Sequence, residues 1–368
     1  MLNRIRVNLG AQSYTVHVEK HLLEKSAKWF RAASTAKKYS ILSVSKVFNL
    51  YGNTIQENLR KIGAKSQSIL IPDGEDKKNE KTLLFILKKM AQQGLRRDSC
   101  LIALGGGVVG DLGGLASSLY MRGINFIQCP TTLLSQVDAS IGGKTAIDYA
   151  GIKNLVGTFH QPKVVLIDPS VLQTLGERQF RTGLAEIIKC GVIQDEELFN
   201  HIENGLSLIL GRDSKILNFI ILKSCAIKSE IVSQDEKEKG KRAWLNYGHT
   251  LGHALESYFN YEVLTHGEAV AYGMWFASIL SLRMGLCSKE VVRRQVDLLK
   301  RSGLFKPIPR FDLKKVYAKM FLDKKARNGQ IQFVLTRKIG LVTIQKNIPQ
   351  PVIFSALNQL QAEARELN

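Results

Sequence analysis

The chain has 368 residues, enough for two domains, and its 45% apolar and 23% charged content is that of a globular protein, not a disordered or collagen-like chain. Its 52 Lys and Arg against 32 Asp and Glu give a net charge of +20, spread without a long basic run or an aromatic-interleaved stripe, so the expected partner is an anionic small molecule and not a nucleic acid. No apolar run reaches the roughly 18 residues of a membrane helix, MLNRIRVNLG lacks a signal-peptide core, and the five cysteines are widely scattered; a cytoplasmic protein with reduced cysteines and no membrane partner is expected.

The first half alternates short apolar runs with amphipathic stretches, the pattern of a parallel α/β sheet. Residues 39–44 read as a strand, 47–62 as a helix, 68–71 as a strand and 78–93 as a helix. The stretch 99–104 reads as a buried strand running into glycines, and strands at 125–129 and 164–168 follow a Gly-rich helix. Beyond about 176, helical periods take over at 178–190, 196–201, 215–232, 250–259 and 267–284. The prediction is a Rossmann-like α/β nucleotide-binding domain over 1–176 and an all-α metal- and substrate-binding domain over 177–368.

The glycines of GGGVVGDLGG from Gly105 open a helix directly after a strand, where the backbone can approach a pyrophosphate at a helix N-terminus. A tight turn with close helix packing also explains such glycines, and the spacing is neither GxGxxG nor GxxxxGK[ST]. After the next strand come Thr131 and Thr132, then Asp138 and the glycine-flanked Lys144, where open α/β sheets bind ligands; helix capping is the alternative for the two threonines.

In the helical half, Glu186 and Lys189 lie three apart on one helix face. His249 and His253 are an i, i+4 pair, and His266 follows within eighteen residues, with flanking glycines that leave room around the rings. Imidazole and carboxylate without thiolate suit a catalytic zinc-type site that keeps a position open. Lys228 is a cation on an otherwise apolar helix, and Arg242 precedes the histidine stretch. The intervening charged turn, with Lys237, Lys239 and Lys241, reads as solvated.

These stretches resemble the 3-dehydroquinate synthase family, the zinc- and NAD-dependent sugar phosphate cyclases of the shikimate pathway of aromatic amino acid biosynthesis. The resemblance rests on Pro72-Asp73-Gly74-Glu75, GGGVVGDLGGLAS from Gly105, Tyr120-Met121-Arg122-Gly123, PTTLLSQVDASIGGKTAI from Pro130, Lys153-Asn154, GLAEIIK from Gly183, NYGHTLGHALE from Asn246, HGEAVAYG from His266 and Asp323-Lys324-Lys325. It implies a dehydroquinate synthase-like fold and a homodimer, with Glu186, His249 and His266 as ligands of Zn2+ or Co2+. NAD would lie along Glu75, Lys78, Gly106, Gly107, Val108 and Asp111, and along Thr131, Thr132, Asp138, Lys144, Lys153, Thr174 and Leu175. The substrate, a sugar-acid phosphate, would meet Arg122, Lys144, Asn154, Lys189, Lys228, Arg242, Asn246, His253 and Lys324 or its neighbour Lys325.

The implied reaction turns 3-deoxy-D-arabino-heptulosonate 7-phosphate into 3-dehydroquinate and phosphate through transient oxidation, elimination, re-reduction, ring opening and aldol closure. Lys144, Asn154 and the 324–325 lysine would hold phosphate, and Lys228 with Arg242 the carboxylate. With three ligands already in hand, His253 is expected to act as base. The chain departs from the resemblance at Ser43-Val44-Ser45, where many members carry an acidic or amide ribose-binding side chain. The alternatives are another sugar phosphate cyclase, or a metal-dependent polyol or glycerol dehydrogenase of the same architecture.

Overall fold

A computed structural model of the chain describes residues 3–322 and 331–366. The chain divides into two compact units, Met1–Leu175 with Leu217–Glu236, and Gly176–Ile216 with Lys237–Asn368.

In the first unit the strands are β1 (Arg4–Val7), β2 (Tyr14–Val18), β3 (Lys38–Val44), β4 (Lys65–Ile71), β5 (Cys100–Gly105), β6 (Asn125–Pro130), the pair β7 (Lys144–Tyr149) and β8 (Ile152–Phe159), and β9 (Val164–Ile167). Seven form one sheet in the order β1-β2-β9-β6-β5-β3-β4, parallel except for the β1–β2 pair, while β7 and β8 make a separate antiparallel hairpin. Its helices are α1 (Ala27–Ala33), α2 (Ser45–Val47), α3 (Asn53–Lys61), α4 (Glu80–Gln92) and α5 (Gly107–Leu119).

The near-continuous apolar runs of the central strands follow from burial on both faces. Successive side chains point to opposite sides of a strand. Tyr39, Ile41, Cys100, Ile102 and Leu104 accordingly join Phe30, Ile55 and Leu59 in one core, while Leu42, Val44, Leu101 and Ala103 join Leu83, Ile86, Val109 and Leu112 in the other. The strands β1 and β2 and the β7–β8 hairpin lie outside the sequence prediction.

The second unit is built from α6 (Glu177–Gln194), α7 (Glu196–Leu210), the start of α8 (Ser214–Gln234), α9 (His249–Tyr258), α10 (His266–Arg283), α11 (Lys289–Arg301), α12 (Leu313–Leu322) and α13 (Gln350–Arg365), with a ribbon of β10 (Gln332–Lys338) and β11 (Leu341–Lys346). Every residue of α10 from Gly267 to Ser281 is buried, as expected of a central helix that is apolar all round.

One helix departs from the boundary expected at 176/177. From Leu217 onward α8 belongs to the first unit, because its side chains are satisfied there: the Cys225 thiol reaches the Gln136 carbonyl at 3.4 Å and the Asn8 N–H donates to Ser233 Oγ at 2.9 Å. The ribbon is an addition to the all-α reading of the second half. No helix among the described residues is long and apolar enough to cross a membrane.

Candidate active site

Parallel strands end on the same side of a sheet, so the segments after β3, β5, β6 and β9 gather along one edge. The Thr131 N–H donates to the Gly105 carbonyl at 2.9 Å and ties the two central segments together. Gly106 precedes α5 and no side chain caps that helix, so its first N–H groups are available to an anion.

The glycines here have two separate purposes. A Cβ on Gly110, Gly113 or Gly114 would come within 2.9 Å of Gln128, 3.1 Å of Ala103 or 2.3 Å of Thr145, so these glycines let α5 lie close on its neighbours. A Cβ on Gly107 would meet only Ala139, at an ordinary 3.6 Å, so packing does not demand that glycine. Asp138, next to Ala139, accepts from Lys228 at 2.5 Å on its side chain and 2.5 Å on its carbonyl.

A second polar group surrounds Lys78, which is buried and lies 2.5 Å from both Asp111 Oδ2 and Asn154 Oδ1. Burial alone would depress its ammonium, but the Asp111 and Glu75 carboxylates outweigh that and raise it. Lys153 pairs with Glu75 at 3.9 Å. Thr174 and Tyr51 hydroxyls meet at 2.7 Å, and Leu175 follows Thr174 directly. Val108 is half-buried in the first turn of α5. Thr132 does cap a helical turn, accepting from the Ser135 N–H at 3.1 Å. Ser43 points inward and donates to the Leu104 carbonyl at 2.7 Å, so its hydroxyl is committed to the sheet.

Arg122 lies away from the start of α5. Arg122 is exposed on the turn after the C-terminal end of α5, where Met121, Arg122 and Gly123 have φ of 53°, 65° and 117°. A thirteen-residue helix is about 20 Å long, which separates Arg122 from Gly106 and Gly107 within the chain. Lys144 opens β7 and is exposed. Lys324 lies outside the described residues.

In the second unit, α6 carries Glu186 and Lys189, α9 carries His249 and His253, and α10 begins with His266. Ligand atoms of Glu186, His249 and His266 all lie within 4.8 Å of one another. His249 Nε2 and His266 Nε2 sit 3.6 and 3.3 Å from Glu186 Oε1. His249 Nδ1 is 3.1 Å from the Tyr247 carbonyl, so that ring donates backwards and presents Nε2. His253 stands beside them, its ring centroid 5.2 Å from that of His249.

Glu186 is 1% exposed and neither carboxylate oxygen accepts a hydrogen bond of good geometry, although Lys189 pairs with Oε2. Such a buried acceptor facing two imidazole nitrogens fits a divalent cation, and oxygen with nitrogen donors suits zinc or cobalt.

The charges around this point are strongly polarised. Burial would raise Glu186, but Lys189 and then His249 and His266 hold it well below the usual carboxylate range. Burial and Lys189 push His249 down to about 3. His266 is opposed by burial, yet Glu256 and Glu186 raise it to about 10.

The glycines around these histidines bring backbones together instead of leaving room around the rings. A Cβ on Gly273 would fall 1.7 Å from the Gly248 carbonyl, and one on Gly267 would fall 2.4 Å from that of Thr182. Lys189 donates to the Leu245 carbonyl at 2.7 Å, Asn246 donates to Glu238 at 2.6 Å, and Arg242 is buried. Glu238, read from the sequence as part of a solvated turn, and Glu256, within NYGHTLGHALE but not singled out there, are the residues that sequence reasoning missed. Nothing in their spacing signalled either contact.

The fold and this cluster define the class. The structure of 2-epi-5-epi-valiolone synthase from Streptomyces hygroscopicus with NAD+ and Zn2+ bound matches with a TM-score of 0.88 at 30% identity, covering 95% of this chain and 97% of that one. That of 2-deoxy-scyllo-inosose synthase complexed with carbaglucose-6-phosphate, NAD+ and Co2+ also matches with 0.88, at 25% identity over 97% and 99%. The chain therefore has the dehydroquinate synthase-like fold of sugar phosphate cyclases.

Residues 68–182 match the profile described as 3-dehydroquinate synthase N-terminal, and 183–326 the C-terminal one. The 3-dehydroquinate synthase of Pelobacter propionicus is 46% identical over 354 residues, 96% of this chain and 99% of the relative. That of Thermodesulfovibrio yellowstonii is 43% identical over 359 residues, 97% and 100%. The chain belongs to the 3-dehydroquinate synthase family.

Proposed function

We propose that this chain converts 3-deoxy-D-arabino-heptulosonate 7-phosphate to 3-dehydroquinate and phosphate, with NAD and a divalent metal ion as cofactors. The observation that carries the reading is the buried Glu186, His249 and His266 cluster in a chain 46% identical to a 3-dehydroquinate synthase over 96% of its length. When bound, the metal acts as a Lewis acid on a substrate hydroxyl, and NAD takes up and later returns a hydride.

The chain's own residues supply position and charge. Glu186, His249 and His266 would hold the metal, three protein ligands being the count of a catalytic zinc site that takes substrate. His253, an imidazole beside that set, accepts the proton of the hydroxyl being oxidised. Gly106 and Gly107 let the pyrophosphate reach the start of α5, with Val108, Asp111, Thr131, Thr132, Asp138, Thr174 and Leu175 along the cofactor and Glu75, Lys78 and Lys153 at the neighbouring cluster.

Lys144, Asn154 and a lysine at 324 or 325 hold the phosphate, and Lys228 and Arg242 the carboxylate, while Lys189 and Asn246 orient the hydroxyls. Arg122, on the turn after α5, is the remaining substrate contact of this reading. Lys228 and Asn154 already have partners in Asp138 and Lys78, so substrate oxygens would be added to existing polar networks. A homodimer in the cytoplasm completes the reading.

The test is to incubate purified protein with the heptulosonate phosphate, catalytic NAD and Zn2+. Phosphate release with a cyclic product and no net NADH is expected. Accumulation of NADH on polyols, or turnover of a neutral sugar phosphate in preference, would point to a dehydrogenase or a sibling cyclase.

A further inference from the structure

Glu256 lies seven residues after His249 and three after His253 on α9, so one helix face presents all three. It is 3% exposed, and its Oε2 is 3.5 Å from Nδ1 of His266. The other nitrogen of that ring, Nε2, faces Glu186 Oε1 at 3.3 Å. His249 is held in the same sense by different means, with Nδ1 against the Tyr247 carbonyl and Nε2 toward Glu186.

His253, Glu256 and His266 also form a set with ligand atoms within 4.8 Å of one another, so two three-residue sets share His266. The shared ring resolves them. Its Nε2 looks to the set whose buried carboxylate lacks hydrogen bonds, and its Nδ1 looks to Glu256, whose charge the imidazole already meets.

We infer that Glu256 is a positioning residue for the metal centre: its carboxylate accepts the Nδ1–H of His266, fixing the tautomer and ring plane that offer Nε2 to the metal, and it is not itself a ligand. A carboxylate behind a ligand histidine raises the ring's basicity as well as orienting it, and losing such a partner typically weakens metal binding about 10- to 100-fold. This inference rests on the metal reading above.

The test measures Zn2+ affinity by chelator competition, Zn2+ stoichiometry and the Co2+ absorption spectrum on full-length metal-free protein, comparing wild type with Glu256→Ala, Glu256→Gln, Glu186→Ala and His249→Ala. Glu256→Ala is expected to bind Zn2+ about 10- to 100-fold more weakly at unchanged stoichiometry, with shifted Co2+ bands. Glu256→Gln keeps the shape and an acceptor oxygen, so it should fold where alanine does not and fall between alanine and wild type.

Wild-type affinity and spectrum in both Glu256 variants would overturn the positioning role and leave the metal reading intact. Loss of stoichiometric Zn2+ in the Glu256 variants with retention in Glu186→Ala would make Glu256 a ligand, which also overturns it. If wild type takes up no metal, or Glu186→Ala and His249→Ala bind as it does, the metal reading itself fails and the inference with it.

Discussion

His249 and His253 are one helical turn apart, and their surroundings separate them. His249 turns Nε2 toward Glu186, whereas His253 is outside the Glu186 set. His249→Ala should therefore lose both zinc and activity, and His253→Ala should keep stoichiometric zinc while losing most of its rate; metal analysis of the purified variants decides, and zinc loss from the His253 variant would sink the assignment. Lys144 is exposed at the start of β7, so removing it should spare the fold. A charge-assisted bond to phosphate contributes about 1.5–3 kcal/mol, which predicts that Lys144→Ala lowers kcat/KM by roughly 10- to 150-fold with an unchanged Tm. An unaltered kcat/KM would remove Lys144 from the phosphate site. The histidines stand out in the sequence because only seven occur in 368 residues, and Lys144 because glycines precede it. Glu256 does not, because spacing places it on a helix face without saying which imidazole it meets.

The starts of α5 and α10 differ in their local chemistry: no side chain caps the first, and a capping box holds the second. On α5, Gly114 faces Thr145 where a Cβ has no room, whereas Gly107 has ordinary space. Gly114→Val is expected to express poorly or melt early. Gly107→Val should fold with normal circular dichroism and fail to bind NAD, since its side chain occupies the path to the helix N-terminus; calorimetry that finds wild-type NAD binding would take the loop out of the cofactor site.

On α10, Thr265 and Glu268 form a capping box, and Glu268 accepts from Arg178 Nε at 2.9 Å and Nη2 at 2.7 Å. Burial would raise the Glu268 carboxyl, but Arg178 and the Thr265 N–H hold it below its ordinary value. A depressed folded pKa stabilises fully above the unfolded value of about 4.3 and loses that contribution as pH falls through the lower folded value. Glu268→Gln should thus cost about 1.5–3 kcal/mol at pH 7, and the gap from wild type should narrow below about pH 4. Denaturation series from pH 3 to pH 7 give the comparison; a gap that stays constant across the series contradicts this account.

At the scale of the whole molecule, the proposed metal ligands all belong to the second unit, and the proposed NAD-contacting residues all belong to the first. Gly107→Val should accordingly retain stoichiometric zinc, and His249→Ala should retain NAD binding measured in the absence of substrate. Loss of both ligands in either variant would show that the two sites are not built independently.

Local patterns suffice for the buried parallel strands, which read as unbroken apolar runs, for the Gly-rich helix start, and for the histidines spaced along helices. Period and composition are properties of a short window, and they survive folding unchanged. Tertiary structure alone decided what depends on distant partners. It placed most of α8 with the sheet through Gln136 and Asn8, added edge strands and ribbons whose short segments gain stability only by pairing, and put Arg122 at the far end of α5. It also turned Nε2 of His266 toward Glu186 and Nδ1 toward Glu256, because the direction in which an imidazole nitrogen points is set by the groups packed on both sides of the ring.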